Sequence, residues 1–342
     1  MTRRLGMVEL ATAAGVSVAT VDRVLNGREA VRPATIARIV EAAARIGHPA
    51  AARIAPALPA PPDLRFGLLL HKSGQEFYRR FAREMELAVS GCRAAHGRLI
   101  VDFASSQAPS EVARLIRAMA DKCDVLAATA VSHPEISAAV DHLRGRGVPV
   151  IALLSDFAPA LRSSYVGLDN LKVGRAAGWI TAINAKNKGK VAIFVGGHRW
   201  HGHELRASGC RNFLLEQGQG WQPMETVVNL ETRQLTYETT LGLLDRHPDL
   251  QGIYVAGGGM EGAIAALRAK RAAGEVALVV NELTTESRAA LADGYVAMVM
   301  ATPLTLLSQT VVDLMLRAKV KGASLPLGDH VFSPDLHVRE TI

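Results

Sequence analysis

The chain has 342 residues, of which 49% are hydrophobic and only 5% aromatic, and its formal net charge is +7. A chain of this length can contain a small module together with one large or two medium-sized domains. No apolar run reaches the roughly 18 residues of a spanning helix, and the N-terminal residues lack an apolar core of signal-peptide length. We therefore expect a cytoplasmic protein without a membrane partner.

Cys92, Cys123 and Cys210 lie far apart and outside any CxxC pair, which predicts reduced thiols rather than disulfides or zinc.

Positive charge is concentrated near the N-terminus. Residues 1–58 contain eight arginines and four acidic residues, an excess of four positive charges in under a fifth of the chain. Arginine suits bidentate contacts with phosphate and guanine. Such an excess on a small domain indicates a nucleic-acid partner, and a solvated basic face without a partner is the alternative.

Residues 10–26 have the pattern of two short helices joined at a tight corner. Gly15 can adopt the positive φ that such a corner needs. Ser17 stands where an N-cap is expected, ahead of apolar residues at helical spacing, namely Val18, Val21, Val24 and Leu25. In a helix–turn–helix, the N-terminal residues of the second helix face the base edges of the DNA major groove. An ordinary corner between two helices is the alternative, and the basic surroundings favour DNA.

A third helix is predicted over residues 33–45, because proline suits the first helical position. Its inward side consists of Ile36, Ile39, Val40 and Ala43. Four prolines then fall within residues 56–62, which predicts an extended linker. We therefore divide the chain into a headpiece with a candidate hinge (1–58), a linker (59–64) and a larger domain (65–342).

From residue 65 onward, short apolar runs alternate with helical patterns. The predicted strands are 66–70, 99–103, 125–128, 148–154, 191–195, 252–256, 276–280 and 296–300. The predicted helices between them include 77–94, 111–121, 171–185, 205–216, 261–271 and 304–319. Alternation of this kind is typical of parallel sheets covered on both faces. Eight strands predict two doubly wound α/β lobes, in which ligands bind beyond the carboxyl ends of the strands.

The segment AGVSVATVDRVLN at residues 14–26, with its continuation to Pro49, resembles the headpiece of the LacI/GalR family of bacterial transcription factors. The resemblance implies that Val18, Ala19 and Arg23 read bases. It also implies a set of phosphate-binding residues, which comprises Ser17, Thr20, Asn26, Arg32 and Thr35. Asp22 departs from the more usual Ser, and we expect this anion to face Arg23 or Arg28 rather than the DNA backbone.

The same resemblance implies a hinge helix before the linker, which inserts an apolar wedge into the minor groove. Residues 50–55 have the propensity for this helix, with Ile54 or Leu58 as the wedge. The sequence departs from the family pattern in two ways, since Ala50 replaces the usual Asn and Pro56 blocks further helix. A plain tether is the alternative.

The larger domain resembles sugar-binding periplasmic proteins and their repressor relatives, which implies type I periplasmic-binding-protein architecture. After the first strand, Gln75, Phe77 and Tyr78 match an N-P-F-F segment whose aromatic residues stack on the ligand. The alternative is that Phe77 packs the next helix. Arg206 matches the ligand-clamping arginine, whose fork can hold vicinal hydroxyls or a carboxylate. His203, together with Glu204, is expected to orient it.

Further ligand contacts are expected after other strands, at His133, Asp156, Asp169, Asn281 and Glu282. For Asp156 and Asp169 the alternative is a helix or turn cap. Residues 165–170, YVGLDN, resemble the family's crossover between lobes.

Two stretches contain residue types that are found in metal or phosphate sites. Three histidines and a glutamate fall within residues 198–204, but no other ligand cluster supports a metal. The glycines of residues 257–259 match neither the P-loop nor the dinucleotide pattern. We expect no metal and no cofactor.

These features predict an all-α helix–turn–helix headpiece followed by two doubly wound parallel-sheet lobes. The predicted function is a transcriptional repressor that binds a pseudo-palindromic double-stranded operator as a homodimer, with a tetramer left open, and responds to a sugar-like effector. A solute-binding protein for sugar transport is the alternative, against which the basic headpiece argues. An enzyme is not expected, because no nucleophile–base pair stands out.

Overall fold

The computed structural model describes residues 6–27, 31–54, 61–323 and 325–342. The chain divides into two compact units, Met1–Pro62 and Asp63–Ile342, which we call the headpiece and the effector domain. Among the described residues, no helix has both the length and the apolar character needed to cross a bilayer.

The headpiece consists of helices α1 (Met7–Ala14), α2 (Val18–Asn26), α3 (Pro33–Arg45) and α4 (Ala51–Ile54). Gly15 ends α1 with a φ of 63°, the left-handed conformation that the corner requires. The hydroxyl of Ser17 accepts a hydrogen bond from the backbone N–H of Thr20 at 3.1 Å and so caps α2. The predicted corner, cap and third helix are confirmed.

Two arginines of α3 stabilise the corner. Arg38 donates to the carbonyl oxygens of Ala14 and Gly15 at 3.0 and 2.8 Å, and Arg45 donates to that of Ala13 at 2.6 Å. Cations at a helix C-terminus satisfy carbonyl groups that have no partner within the helix. Part of the basic charge of the headpiece therefore supports its fold.

The first lobe of the effector domain is a six-stranded sheet in the order β11-β5-β4-β3-β1-β2, with every pair parallel. Its strands are β1 (Asp63–His71), β2 (His96–Ala104), β3 (Val125–Ala128), β4 (Val150–Leu153), β5 (Ser164–Leu168) and β11 (Asp329–Phe332). The helices on its two faces are α5 (Glu76–Ser90), α6 (Pro109–Met119), α7 (Pro134–Gly145) and α13 (Leu304–Lys321).

The second lobe is a six-stranded sheet in the order β12-β10-β9-β8-β6-β7, in which only β12 is antiparallel to its neighbour among the described strands. Its strands are β6 (Lys190–Val195), β7 (Gln222–Val228), β8 (Leu250–Val255), β9 (Ala277–Asn281), β10 (Met298–Ala301) and β12 (Asp335–His337). Its helices are α8 (Asn170–Asn184), α9 (His201–Glu216), α10 (Arg233–Arg246), α11 (Met260–Lys270) and α12 (Thr285–Ala292). A 3₁₀ turn follows over Arg339–Thr341.

The chain passes between the lobes three times, from β5 to α8, from β10 to α13 and from β11 to β12. The first passage is the predicted crossover at residues 165–170. The two doubly wound lobes are confirmed, but the predicted set of strands lacked β5, β7, β11 and β12. The predicted linker also extended too far, since Asp63 already belongs to β1.

Helices α8 and α9 pack with their backbones in contact. A Cβ atom on Gly209 would lie 2.2 Å from the carbonyl oxygen of Leu171, and one on Gly174 would lie 2.0 Å from that of Arg206. Real Cβ atoms do not approach backbone this closely, so only glycine permits this helix spacing.

We therefore expect Gly209→Ala to lower the free energy of unfolding of the effector domain by about 1–3 kcal/mol, the usual cost of an overpacked core. Urea unfolding followed by circular dichroism measures this change. Gly145→Ala is the matched control, because no atom lies within 4 Å of the added methyl group at the end of α7. Equal unfolding midpoints for the two variants would contradict the proposed helix contact.

Candidate functional site

The exposed side of α2 carries the residues predicted to read bases. Val21 is buried, whereas Val18, Ala19 and Arg23 are exposed, and Val18 is 40% exposed despite its apolar side chain. An exposed apolar residue at the start of such a helix can contact a thymine methyl group, and an exposed arginine can contact guanine. Helix α2 therefore presents both an apolar side chain and an arginine side chain that are available for contacts with bases.

The residues predicted to hold phosphate also lie at the surface. Ser17, Asn26 and Arg32 are exposed, and Thr20 and Thr35 are half-buried. Asn26 donates from Nδ2 to Oδ1 of Asp22 at 2.6 Å, so Asp22 contacts the amide one turn along α2, and its pairing with Arg23 or Arg28 stays a prediction. Arg28 lies outside the described residues.

The structure contradicts Ile54 as a minor-groove wedge. Ile54 is only 2% exposed, and together with Ala50 it belongs to the core of the headpiece, with Leu10, Val21 and Ile39. An apolar side chain that is already buried in the headpiece is not presented to DNA. Leu58, the other predicted wedge, lies outside the described residues.

In the effector domain, a cavity of about 90 Å³ lies between the lobes, beyond the carboxyl ends of their strands. A cavity of this size accommodates several water molecules or one small organic molecule. The predicted ligand-binding residues that line it are Phe77, Tyr78, His203, Arg206, Asn281 and Glu282. It is also lined by residues not predicted as ligand contacts, among them Thr129, Asn170, Trp200, Glu231, Glu261 and Thr302.

Three predicted ligand residues lie elsewhere and have structural roles. His133 caps α7, since its Nδ1 accepts the backbone N–H of Glu135 at 3.3 Å. Asp156 forms an ion pair with the nearly buried Arg162. Asp169 caps α8 by accepting the backbone N–H of Lys172 at 3.1 Å. Each contacts a group of the fold and none of the three lines the cavity, so the structure does not place them at the ligand.

Arg206 is held in a fixed orientation although it is only 7% exposed. Its Nε donates to Oδ1 of Asn170 at 2.7 Å, and its Nη1 donates to the carbonyl oxygen of Ala256 at 2.9 Å. Asn170 is itself oriented by its Nδ2, which donates to the hydroxyl of Tyr165 at 3.1 Å. Within the described residues no hydrogen bond involves Nη2, which leaves that end of the fork for a ligand.

The predicted orienting role of His203 and Glu204 is wrong. His203 accepts the backbone N–H of Gly196 at Nδ1, at 3.2 Å, so its proton is on Nε2, which lies 3.7 Å from Oε1 of Glu231. Glu204 instead contacts His198 at 2.9 Å. Asn170 performs the orienting role.

Asn281 and Glu282 provide acceptors at another part of the cavity wall. Asn281 is 2% exposed; its Nδ2 donates to the carbonyl oxygen of Val255 at 2.8 Å, and its buried Oδ1 has no partner among the described residues. Glu282 accepts the hydroxyl and the backbone N–H of Thr302 at 2.6 and 3.0 Å. Burial raises the pKa of Glu282 despite these hydrogen bonds.

A loop after β7, residues 229–232, connects the two lobes. We call it the closing loop. Lys72 of the first lobe donates to the carbonyl oxygen of Leu230 at 2.6 Å, and Gln75 donates to that of Glu231 at 3.0 Å. Leu230 and Glu231 have φ values of 51° and 53°, a left-handed conformation that is rare for such side chains. The lobes are therefore closed around the cavity through this loop.

The carboxylate of Glu231 extends the same connection. Its Oε2 accepts Gln107 Nε2 of the first lobe at 3.1 Å, and its Oε1 accepts the backbone N–H of Gly258 at 3.1 Å. Burial opposes its ionisation, but His203, Lys72, which lies 3.9 Å away, and the Gly258 N–H together outweigh that effect and lower the pKa of Glu231. Glu231 is thus a charged contact between the lobes that also lines the cavity.

Burial lowers the pKa of His203 from its ordinary value of 6.5 to about 4, and the nearby cations Arg206 and Lys72 add to this effect. The unfolded chain therefore binds the proton first, and the contribution of neutral His203 to stability is lost as pH falls from about 6.5 to about 4. We expect the effector domain to lose roughly 3 kcal/mol over that range from this residue. Glu231 adds to the loss at lower pH.

Urea unfolding of the His203→Gln variant at pH 7 and at pH 5 tests this prediction. The variant should show a smaller loss of stability between the two pH values than the unsubstituted protein. His201→Gln is the control, since His201 is exposed on the same helix and should leave the pH dependence unchanged. A pH dependence that His203→Gln leaves intact would contradict the prediction.

Comparison with known proteins identified two family models. The model for the lacI family of bacterial regulatory proteins matches residues 6–49, and the model for a periplasmic binding protein domain matches residues 66–323, about three quarters of the chain. No curated protein matches.

Among solved structures, three sugar-related proteins share the fold of the effector domain. A glucose-galactose binding protein from Geobacillus stearothermophilus has a TM-score of 0.72 and 18% identity, covering 82% of this chain and 99% of its own. A periplasmic solute-binding protein from Actinobacillus succinogenes, with bound D-allose, has a TM-score of 0.73 and 20% identity, covering 82% and 99%. A solute-binding protein from Burkholderia graminis, in complex with D-arabinose, has a TM-score of 0.74 and 18% identity, covering 83% and 98%.

The structural similarity establishes the fold of the lobes, and the headpiece match distinguishes this chain from a transport protein with the same lobes. The corner, the cap and the exposed face of α2 all lie within the matched residues. The chain therefore belongs to the lacI family of bacterial regulatory proteins, as a DNA-binding transcriptional regulator whose larger part is a ligand-controlled periplasmic binding protein domain.

Proposed function

We propose that the effector is a sugar or sugar derivative of monosaccharide size, bound in the cavity between the lobes. The observation that carries this proposal is Arg206, a buried guanidinium held by Asn170 and Ala256 with one end left for a ligand. The cavity also combines acceptors with the aromatic residues Phe77 and Tyr78, whose ring centroids lie 5.2 Å apart. Convergent polar groups beside aromatic surface suit a polyhydroxylated ligand. The sugar complexes of two structural relatives, with D-allose and D-arabinose, support the same class.

For the headpiece, we propose that Val18, Ala19 and Arg23 contact base edges, and that Ser17, Thr20, Asn26, Arg32 and Thr35 contact phosphates. A single small headpiece provides few contacts, so a homodimer on a pseudo-palindromic operator gives the affinity that regulation needs. We propose that this dimer acts in the cytoplasm as a repressor.

For the effector to control DNA binding, it must bind more tightly to one arrangement of the two lobes than to the other. A preference of about 1–3 kcal/mol is the usual scale and changes operator affinity about 5- to 150-fold. Residues of both lobes line the cavity and meet at the closing loop, so occupancy and closure of the lobes are coupled within the effector domain.

A two-step experiment tests the proposal. Thermal unfolding is first screened against sugars, polyols and sugar acids, and a hit raises the unfolding midpoint. A preferred duplex is then selected from random DNA, and its affinity is measured with and without the hit. A 5-fold or larger change in affinity supports the proposal, whereas a bound ligand without any duplex preference would instead support a solute-binding protein. Mass spectrometry of the hit provides a further check, since an altered ligand mass would indicate an enzyme.

A further inference from the structure

We propose that the cavity contains a subsite for a protonated amine, formed by Asn281 and Glu282, and that the effector is an amino sugar or another amino-bearing polyol. This inference rests on the proposed function, because it names the chemical class of ligand that the same cavity takes.

The first argument is the hydrogen-bonding capacity of this part of the wall. The amide group of Asn281 is fixed because only its Nδ2 can donate to the carbonyl oxygen of Val255, which leaves the buried Oδ1 as an acceptor without a partner among the described residues. The backbone N–H of Thr302 can only donate, so Glu282 also acts as an acceptor. An ammonium group donates three hydrogen bonds and accepts none, which matches a wall of acceptors better than a hydroxyl does.

The backbone explains why two consecutive residues line the same cavity. Successive side chains of a strand point to opposite faces. Strand β9 ends at Asn281, and Glu282 has a φ of 68°, a left-handed conformation that breaks the alternation. Non-glycine residues in this conformation are uncommon and are concentrated at functional sites.

The second argument is the charge around the cavity. Four glutamates line it, namely Glu76, Glu231, Glu261 and Glu282, against one arginine. Glu231 is paired with Lys72, but the other three have no lysine or arginine within ion-pair distance among the described residues. Arg206 uses its hydrogen bonds on the neutral groups of Asn170 and Ala256. Burial lowers the pKa of His203 to about 4, so its imidazole adds no positive charge at neutral pH.

Carboxylates that are half-buried and have no counter-ion are costly, and a cationic ligand would compensate for them. Burial raises the pKa of both Glu261 and Glu282; the cations Arg206 and Arg80, neither of which forms an ion pair with Glu282, oppose this effect at Glu282 without reversing it. The same charges would repel a sugar phosphate or a sugar acid. In this arrangement Arg206 donates to hydroxyl oxygens of the ligand, and the amine lies at the Asn281–Glu282 end.

Isothermal titration against matched derivatives tests the inference. For each of several monosaccharides and cyclitols, four forms are compared: the parent, the amino form, the N-acetyl form and the acid or phosphate. We expect at least one amino form to bind about tenfold or more tightly than its parent, which is the strength of a charge-assisted hydrogen bond. The N-acetyl form should lose this gain, and the anionic form should not bind.

A charge-neutralising variant checks which residue is responsible. Glu282→Gln should bring the affinities of the amino form and its parent close together, whereas Glu86→Gln, which removes the same charge from an exposed position on α5, should leave their ratio unchanged. The test compares the affinities of the amino form and its parent within one variant, so it remains valid even if the substitution weakens the binding of both ligands.

The possible failures are distinguishable. A parent sugar, N-acetyl form or anion that binds more tightly than the amine and alters operator affinity would overturn the amine subsite and leave the proposed function intact. Absence of binding across all four forms of every compound would count against the sugar effector itself and would remove this inference with it.

Discussion

Arg23→Ala will abolish sequence-specific operator binding while effector affinity stays unchanged. Arg23 is exposed on α2, the helix whose opposite side buries Val21 in the headpiece core. A bidentate contact between arginine and guanine contributes about 1–3 kcal/mol to discrimination in each half-site. Loss of both contacts in a dimer corresponds to a decrease of roughly 30-fold to more than 1000-fold in specific affinity. Non-specific binding, which depends on the remaining positive charge, should decrease much less.

Fluorescence anisotropy with the selected duplex and with random duplex, at one salt concentration, measures both affinities. Arg98→Ala removes the same charge from an exposed position on β2 and should leave specific binding nearly unchanged. Arg38→Ala should instead lower the thermal stability of the headpiece, because Arg38 binds the carbonyl groups that end α1. Retained specificity in Arg23→Ala would remove this residue from base recognition, and loss of effector binding would contradict the separation of the two functions.

The headpiece could be predicted closely because its signals are local. Gly15, Ser17 and Pro33 each determine the start or end of a helix through their own backbone preferences. The role of Ile54 could not be predicted, for the opposite reason. Whether an apolar side chain packs in a core or stays available to DNA depends on tertiary contacts, here with residues such as Leu10 and Ile39.

The strands missed in the effector domain are those with weak or short apolar patterns. Strand β7, QPMETVV, lies at a sheet edge, is half-exposed along most of its length and contains Pro223, so no continuous apolar run marks it. Strands β11 and β12 have only four and three residues. Because the sequence does not mark β7 as a strand, it gives no signal for Glu231 in the loop that follows. The rule that ligands bind after strands would have indicated this position once the strand was known.

A residue's position directly after a strand indicates that it lies near the cavity, but it does not indicate what its side chain contacts there. Asp169 and Asn170 are neighbours, yet the first caps α8 and the second orients Arg206, which is 36 residues away in sequence. A carboxylate after a strand can serve a helix N-terminus as readily as a ligand, and the sequence does not separate these uses. The partners of His203 likewise depend on Glu231, which is brought close only by the fold.

Arg206→Ala will produce a regulator that binds its operator but no longer responds to its effector. The guanidinium is nearly buried and fixed at Nε and Nη1. Because the arginine is already ordered, a ligand that binds at Nη2 does not have to order it, and no affinity is lost in this way. Removing one or two charge-assisted hydrogen bonds costs about 2–4 kcal/mol, which lowers effector affinity about 30-fold to several hundredfold. Titration of the effector, followed by operator binding at the effector concentration that just saturates the unsubstituted protein, measures both parts of the prediction.

Some loss of stability is expected in this variant, because Oδ1 of Asn170 and the carbonyl oxygen of Ala256 both lose a buried donor. Arg211→Ala provides the matched control on the same helix α9. Arg211 donates to Thr226 at 3.1 Å and does not line the cavity, so its removal should reduce stability without reducing effector affinity. If Arg206→Ala still responds normally to effector, Arg206 does not contact the ligand. If Arg211→Ala loses the response as well, the effect arises from weakened packing of α9, and the assignment of Arg206 as the ligand clamp fails.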